Sequence, residues 1–425
     1  MEELFCEIMN LINDNLEKSN ERYHCQHIRM KNNWLFCLFS DEFNNLVRLI
    51  KENYFFENQN LITDDFLGNM FIDEVIINAV TKNDNSIEYN LKENMGKFKS
   101  IIEENFKEYW FYVPIEGIDV EIPFQLGSIL LMPISLFKEE LMEHNSLKDD
   151  VDITKNFFND VKYCKTVAKI KIIGINEVAK EQALIKINSL VSILSLFKPY
   201  DIISFGINGE VKPSLNLFSY VYKYDENYNI SSGLYGNRTY FNLVDFYGIC
   251  GVNEYIDYLI QISEKEILSY VDKKLLNSIF WFSKANSIVY KKEEILLITK
   301  SSTKDFNYYN ISEVLTKLIT SIESIVRFKR SNRDKILENF NRIMGEDFSL
   351  KLNRLYDLRN DVIHGLLDEG VEEISISELI EFLELVRKFI FTFIDIKMKF
   401  DNSETNNLES KEDLINYFAD MNIIK

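Results

Sequence analysis

Apolar residues recur at spacings of three and four along much of the chain. In MEELFCEIMNLINDNLEK, Leu4, Ile8, Leu11, Ile12 and Leu16 fall on one stripe, and DEFNNLVRLIKENYFF repeats the pattern. An amphipathic helix buries such a stripe, so residues 1–107 are expected to be helices joined by polar loops. From Tyr109 the texture changes. YWFYVPIEGIDVEIPFQLGSILLMPIS mixes β-branched and aromatic residues with proline and glycine, which predicts short strands and turns. TVAKIKIIGI (166–175) predicts another strand. It leads into a helix over NEVAKEQALIKINSLVSILSLF, where Ala179, Ala183, Ile187, Leu190 and Leu194 share a face. IISFGINGEVKPSLNLFSYVY predicts a hairpin turning at Asn208-Gly209. Residues 108–250 therefore read as an α+β module.

Beyond Asn253 the helical period returns and predicts segments over about 254–270, 272–291, 311–330, 333–344, 347–364 and 377–399. Asn310 with Glu313, and Ser375 with Glu378, have the spacing of capping boxes. SELIEFLELVRKFIFTFIDI is apolar on most sides and is expected at the centre of a bundle. The fold class expected is an α+β N-terminal region followed by an all-α C-terminal helical bundle. The divisions fall at 1–107, 108–250, 251–400 and a polar tail with a short helix at 401–425.

Composition agrees. The 425 residues include only 14 Gly and 5 Pro, and every proline precedes Ser214, so the C-terminal half lacks the strongest helix breaker. The five cysteines are odd in number and scattered, which points to a reducing cytoplasm rather than a disulfide framework. The acidic, amphipathic first residues lack a basic n-region. No apolar run reaches the ~18 residues that a membrane span requires. A soluble, cytoplasmic protein with no membrane partner is expected. His24, Cys25 and His27 cluster without a second ligand pair and read as a surface or partly buried group rather than a zinc site. No cofactor is expected.

Charge narrows the search. A net charge of −19 argues against a general nucleic-acid coat. Residues 254–399 are nearly balanced, however, so any polyanion site is expected there. The densest basic cluster, RFKRSNRDK, holds Arg327, Lys329, Arg330, Arg333 and Lys335. It either guides an RNA backbone or forms a solvated helix end. Trp281 and Phe282 read as bundle core or dimer contact, and His144 lies in a polar loop.

The chemistry concentrates in RLYDLRNDVIHG, Arg354 to Gly365, which holds one of only four histidines. Leu350, Leu355, Leu358 and Val362 offer a buried stripe, and Gly365 a stop. His364 falls in the last turn, where the helix dipole favours its protonated form. Arg359 and His364 are five apart and diverge by about 140° on a regular helix. One helix alone is a poor site, but two copies across a dimer axis make a better one. Cleaving RNA by 2′-hydroxyl attack needs a base, an acid and a cation for the charge on phosphorus. Two His364 side chains can divide the proton work, two Arg359 side chains can hold phosphate, and Asn360 can orient either. Tyr356, three residues before Arg359, either packs in the core or stacks a base.

Arg359-Asn360-x-x-x-His364 resembles the Rx4–6H motif of HEPN-domain ribonucleases. The wider LYDLRNDVIHG is similar to the LYxxRSxIVHG of the Apea-like HEPN branch, with Asn360 where that branch often has serine. LTKLITSIESIVRF resembles the glutamate-bearing helix that precedes the motif, which gives Glu323 a supporting role. The likeness covers about residues 254–400. It implies a dimerising four- or five-helix bundle with metal-independent endoribonuclease activity on tRNA or other cellular RNA. It further implies service as a toxin or abortive-infection effector against phage, with the N-terminal half sensing a phage-derived or cellular trigger. The alternative is a non-catalytic HEPN homodimer or higher homo-oligomer that serves as a scaffold.

Overall fold

The computed structural model describes residue 10 and residues 26–30, 33–37, 41–55, 62–78, 87–143, 164–197, 206–207, 210–212, 220–222, 241–243, 247–248, 251–299, 308–363, 376–403 and 407–420. The expected Leu4–Leu16 helical stripe, His24, Cys25, His144, the Asn208-Gly209 turn, Ser375 and His364 lie outside these residues. The chain divides into two compact units. Unit one comprises residues 1–110, 171–182 and 213–218, and unit two the rest.

Unit one opens with a correction to the all-helical expectation. Strands β1 (Gln26–Met30) and β2 (Asn33–Cys37) pair antiparallel, with Met30 opposite Asn33 and His27 opposite Phe36. The polar Lys31-Asn32 between two runs rich in apolar residues is a hairpin signal that the flanking helical periods obscure. Helices α1 (Asp41–Tyr54), α2 (Asp64–Met70), which continues as a wider π turn through Phe71–Ile77, and α3 (Ile87–Glu103) follow. Thr63 caps α2 by accepting from the Phe66 amide at 3.1 Å. Leu46, Ile50, Phe71, Val75, Phe98 and Ile102 close the core.

The sheet begins with β3 (Lys107–Glu116), β4 (Ile118–Asp119), β5 (Phe124–Leu126) and β6 (Ile129–Pro133), followed by α4 (Ile134–Glu143). Next come β7 (Thr166–Gly174) and α5 (Asn176–Phe197). Together with β8 (Gly206–Ile207), strands β3, β5, β6 and β7 form a five-stranded sheet in the order β5-β6-β7-β3-β8. The α5 stripe is buried as its spacing requires, at Ala179, Ala183, Ile187, Leu190 and Leu194. The predicted hairpin is paired differently. β8 joins the end of β3, while β9 (Glu210–Lys212) pairs with β10 (Tyr220–Tyr222). Pro213, which lacks an N–H, follows β9 directly. β11 (Phe241–Asn242) lies parallel to β4.

The remainder of unit two is helical: α6 (Val252–Glu264), α7 (Tyr270–Thr299), α8 (Tyr308–Val326), α9 (Arg333–Met344), α10 (Glu346–Ile363), α11 (Ile376–Asp401) and α12 (Lys411–Asp420). An α+β N-terminal half followed by helices is thus the observed layout. The first of these helices stops earlier than expected because Ser269 and Asp272 cap α7 reciprocally. Ser269 Oγ accepts from the Asp272 amide at 3.0 Å, and Asp272 Oδ2 from the Ser269 amide at 3.3 Å. Asn310 is no cap either, since α8 already begins at Tyr308.

Helix α8 packs against α7, α9, α10 and α11, and the buried face of α11 fills the bundle with Leu383, Phe389, Ile390 and Phe393. Phe282 is fully buried, whereas Trp281 is half-buried with the Lys317 ammonium 5.3 Å from its ring centroid. Small residues let α7 and α8 approach: Ser321 Oγ donates to the Ser278 carbonyl at 2.8 Å. Among the described residues no helix is long and apolar enough to cross a membrane.

Candidate functional site

Helices α8, α9 and α10 meet around a groove of about 440 Å³. Its position follows from how α8 ends. Arg330 takes a left-handed backbone (φ 70°), and Asn332 then caps α9 by accepting from the Lys335 amide at 3.0 Å. Buried Asn339, in the second turn of α9, donates to the Val326 carbonyl at 2.9 Å, which satisfies an otherwise orphaned group at the α8 terminus. This tight turn brings Arg327 and Arg333 to the same rim. Gly345 (φ 90°) then reverses the chain, so that α10 lies along both α8 and α9.

The floor of the groove is a polar network. Tyr356 is buried, at 3% exposure, and its hydroxyl donates to Glu323 Oε1 at 2.7 Å. The other Glu323 oxygen accepts from Arg327 at 2.6 Å. Burial raises the Tyr356 phenol, and the bond and charge of Glu323 raise it further, so it remains a donor. Glu323 in turn raises Arg327. Arg333 donates to the Asn353 carbonyl at 2.8 Å, to Asn353 Oδ1 at 2.6 Å and to Asp357 at 2.6 Å.

Arg359 is held differently. Its guanidinium lies 5.6 Å from the Tyr356 ring centroid, within cation–π range, and that of Arg333 lies 5.2 Å from the same centroid. Its Nε is buried without a hydrogen-bond acceptor, and among the described residues no carboxylate pairs with it. Asn360 lines the groove beside it. Three arginines and one glutamate give the groove net positive charge, although the glutamate is committed to Arg327 and Tyr356. Among the described residues that line the groove, Arg359 is the arginine with no carboxylate partner.

Of the residues that the sequence singles out, Arg359, Asn360, Glu323, Tyr356, Arg327 and Arg333 line this one groove. Lys329, Arg330 and Lys335 are exposed and do not line it. Lys335 is paired with Glu338 at 2.8 Å. Tyr356 has no open face on which to stack a base. The burial stripe of α10 also differs: Leu350 is 66% exposed and Val362 only half-buried, while Leu352, Leu355 and Tyr356 are buried. Asn332 and Asn353 were not anticipated. The Asn332 cap was legible in SNRDK, whereas Asn353 meets Arg333 only through helix packing and leaves no local signal. The chain has no significant match to any protein-family model, curated protein or solved structure.

Proposed function

We propose that this protein is a metal-independent endoribonuclease of the HEPN type, assembled as a dimer and acting as a toxin or abortive-infection effector against phage. The observation that carries the reading is Arg359: a guanidinium with no carboxylate partner among the described residues, at a positively charged groove, next to Asn360, near the end of a bundle helix. A guanidinium not taken up by a carboxylate suits a phosphodiester, whose oxygens it can bind in bidentate fashion. In the proposed reaction the RNA 2′-oxygen attacks phosphorus as its proton passes to one His364. The P–O5′ bond breaks, and His364 of the partner subunit protonates the leaving 5′-oxygen. The products are a 2′,3′-cyclic phosphate and a 5′-hydroxyl. Arg359 offsets the charge on the phosphoryl oxygens. The acidic N-terminal half serves as the regulatory part that answers a trigger.

The test is cleavage of total tRNA in EDTA by the purified dimer. Arg359→Ala and His364→Ala are each expected to abolish it, and cleavage that survives both substitutions contradicts the assignment.

A further inference from the structure

We propose that Tyr356 is the positioning residue of Arg359 and that Glu323 acts on Arg359 through it, an inference that rests on the ribonuclease reading above. Arginine's long side chain is rich in rotamer entropy, part of which is lost when its planar fork meets a phosphate. A carboxylate would order the guanidinium but would then compete with the phosphate for the same N–H groups. An aromatic ring orders it without occupying those donors. The Arg359 guanidinium has such a ring within 5.6 Å and no carboxylate partner among the described residues.

The ring is itself immobilised. Tyr356 is buried, and its hydroxyl is bonded to Glu323 at 2.7 Å. Glu323 is kept from turning towards Arg359 because its second oxygen is held by Arg327 at 2.6 Å. Arg333, over the same ring, is committed to Asn353 and Asp357. The arrangement thus separates an anchored arginine from a presented one. It also explains why a glutamate can sit beneath a phosphate site: its charge is absorbed by Arg327 and by the phenol.

The test is a double-mutant cycle on the full-length protein. The probe is a 2′-O-methyl RNA oligonucleotide, which 2′-hydroxyl attack cannot cleave, and binding is read by fluorescence anisotropy. Thermal melts followed by circular dichroism accompany each variant. Arg359→Ala is expected to weaken binding about tenfold or more, as loss of a charged hydrogen-bonding group does. Tyr356→Leu is expected to weaken it nearly as much, Tyr356→Phe and Glu323→Gln by less, and none of the three to weaken it further once Arg359 is alanine. If Tyr356→Leu does not fold, the near-isosteric Tyr356→Phe and Glu323→Gln decide the matter. Losses that persist undiminished in the Arg359→Ala background, or Tyr356 variants that bind as wild type does, overturn the positioning role and leave the ribonuclease reading standing. Should wild type bind no oligonucleotide, or Arg359→Ala bind as tightly as wild type, Arg359 holds no phosphate and both readings fall.

Discussion

Lys274 of α7 closes the carboxyl end of α8 by donating to the Arg327 carbonyl at 2.9 Å. The same ammonium reaches the Ser324 carbonyl at 2.9 Å and that of Ile325 at 3.3 Å, so one side chain satisfies three orphaned acceptors under the rim of the groove. Burial pushes this lysine down from its ordinary 10.5 to about 8. Between those two pH values the unfolded chain holds a proton that the folded chain has released, so the contribution of Lys274 makes stability rise with pH across the window. Several tyrosines with raised folded values, among them Tyr258 and Tyr356, oppose this as the pH approaches their ordinary 10. The difference between wild type and Lys274→Met isolates the effect. Urea unfolding at pH 8, 8.75 and 9.5 is expected to show wild type gaining on the variant with each step, and a flat difference would contradict the assignment.

Asp272 and Lys397 are both fully buried and lie 3.6 Å apart, joining the start of α7 to the end of α11. Lys265 also reaches Asp272, at 2.8 Å, and Asp401 binds both Lys397 and the Tyr258 hydroxyl. Removing Lys397 takes one of two bound cations from buried Asp272 and leaves Lys265 to offset its charge; losing one partner of a buried pair typically costs about 3–5 kcal/mol, here at the low end. Lys397→Met is expected to lower the unfolding free energy by that order. Adding Asp272→Leu to Lys397→Met is expected to restore part of the loss. A further loss in the double variant would show that the pair is held by other contacts and not by mutual compensation.

Along α10, Leu352 is fully buried and Leu350 is 66% exposed. Leu352→Ala is expected to cost about 2–5 kcal/mol by chemical denaturation, and Leu350→Ala to stay within about 0.5 kcal/mol of wild type. Equal losses at the two positions would place the helix in a different rotation, and with it Tyr356 and Arg359.

That helix also shows what the sequence makes legible. The long C-terminal helices are readable because their apolar stripes run over many turns, and so the groove's Glu323, Tyr356, Arg359 and Asn360 could be placed in advance on helices that do meet. Leu350 departs from the stripe because it stands five residues, about 140° of rotation, from Leu355, whereas Leu352 stands only three away. The β1–β2 hairpin was hidden because each strand is only five residues long, too short for a period of two to stand out between helices. The split among the basic residues was not readable at all. Whether an arginine is anchored, like Arg333, or presented, like Arg359, depends on partners such as Asn353 that only packing supplies.

The central claim is that the groove serves cleavage of RNA by its own 2′-hydroxyl with Arg359 on the phosphate. The most direct measurement is the end chemistry of RNA fragments produced by the full-length protein in EDTA, read by mass spectrometry beside Arg359→Ala. The account predicts 2′,3′-cyclic phosphate and 5′-hydroxyl ends that vanish with Arg359. Fragments with 3′-hydroxyl and 5′-phosphate ends, or unchanged products from Arg359→Ala, would contradict it.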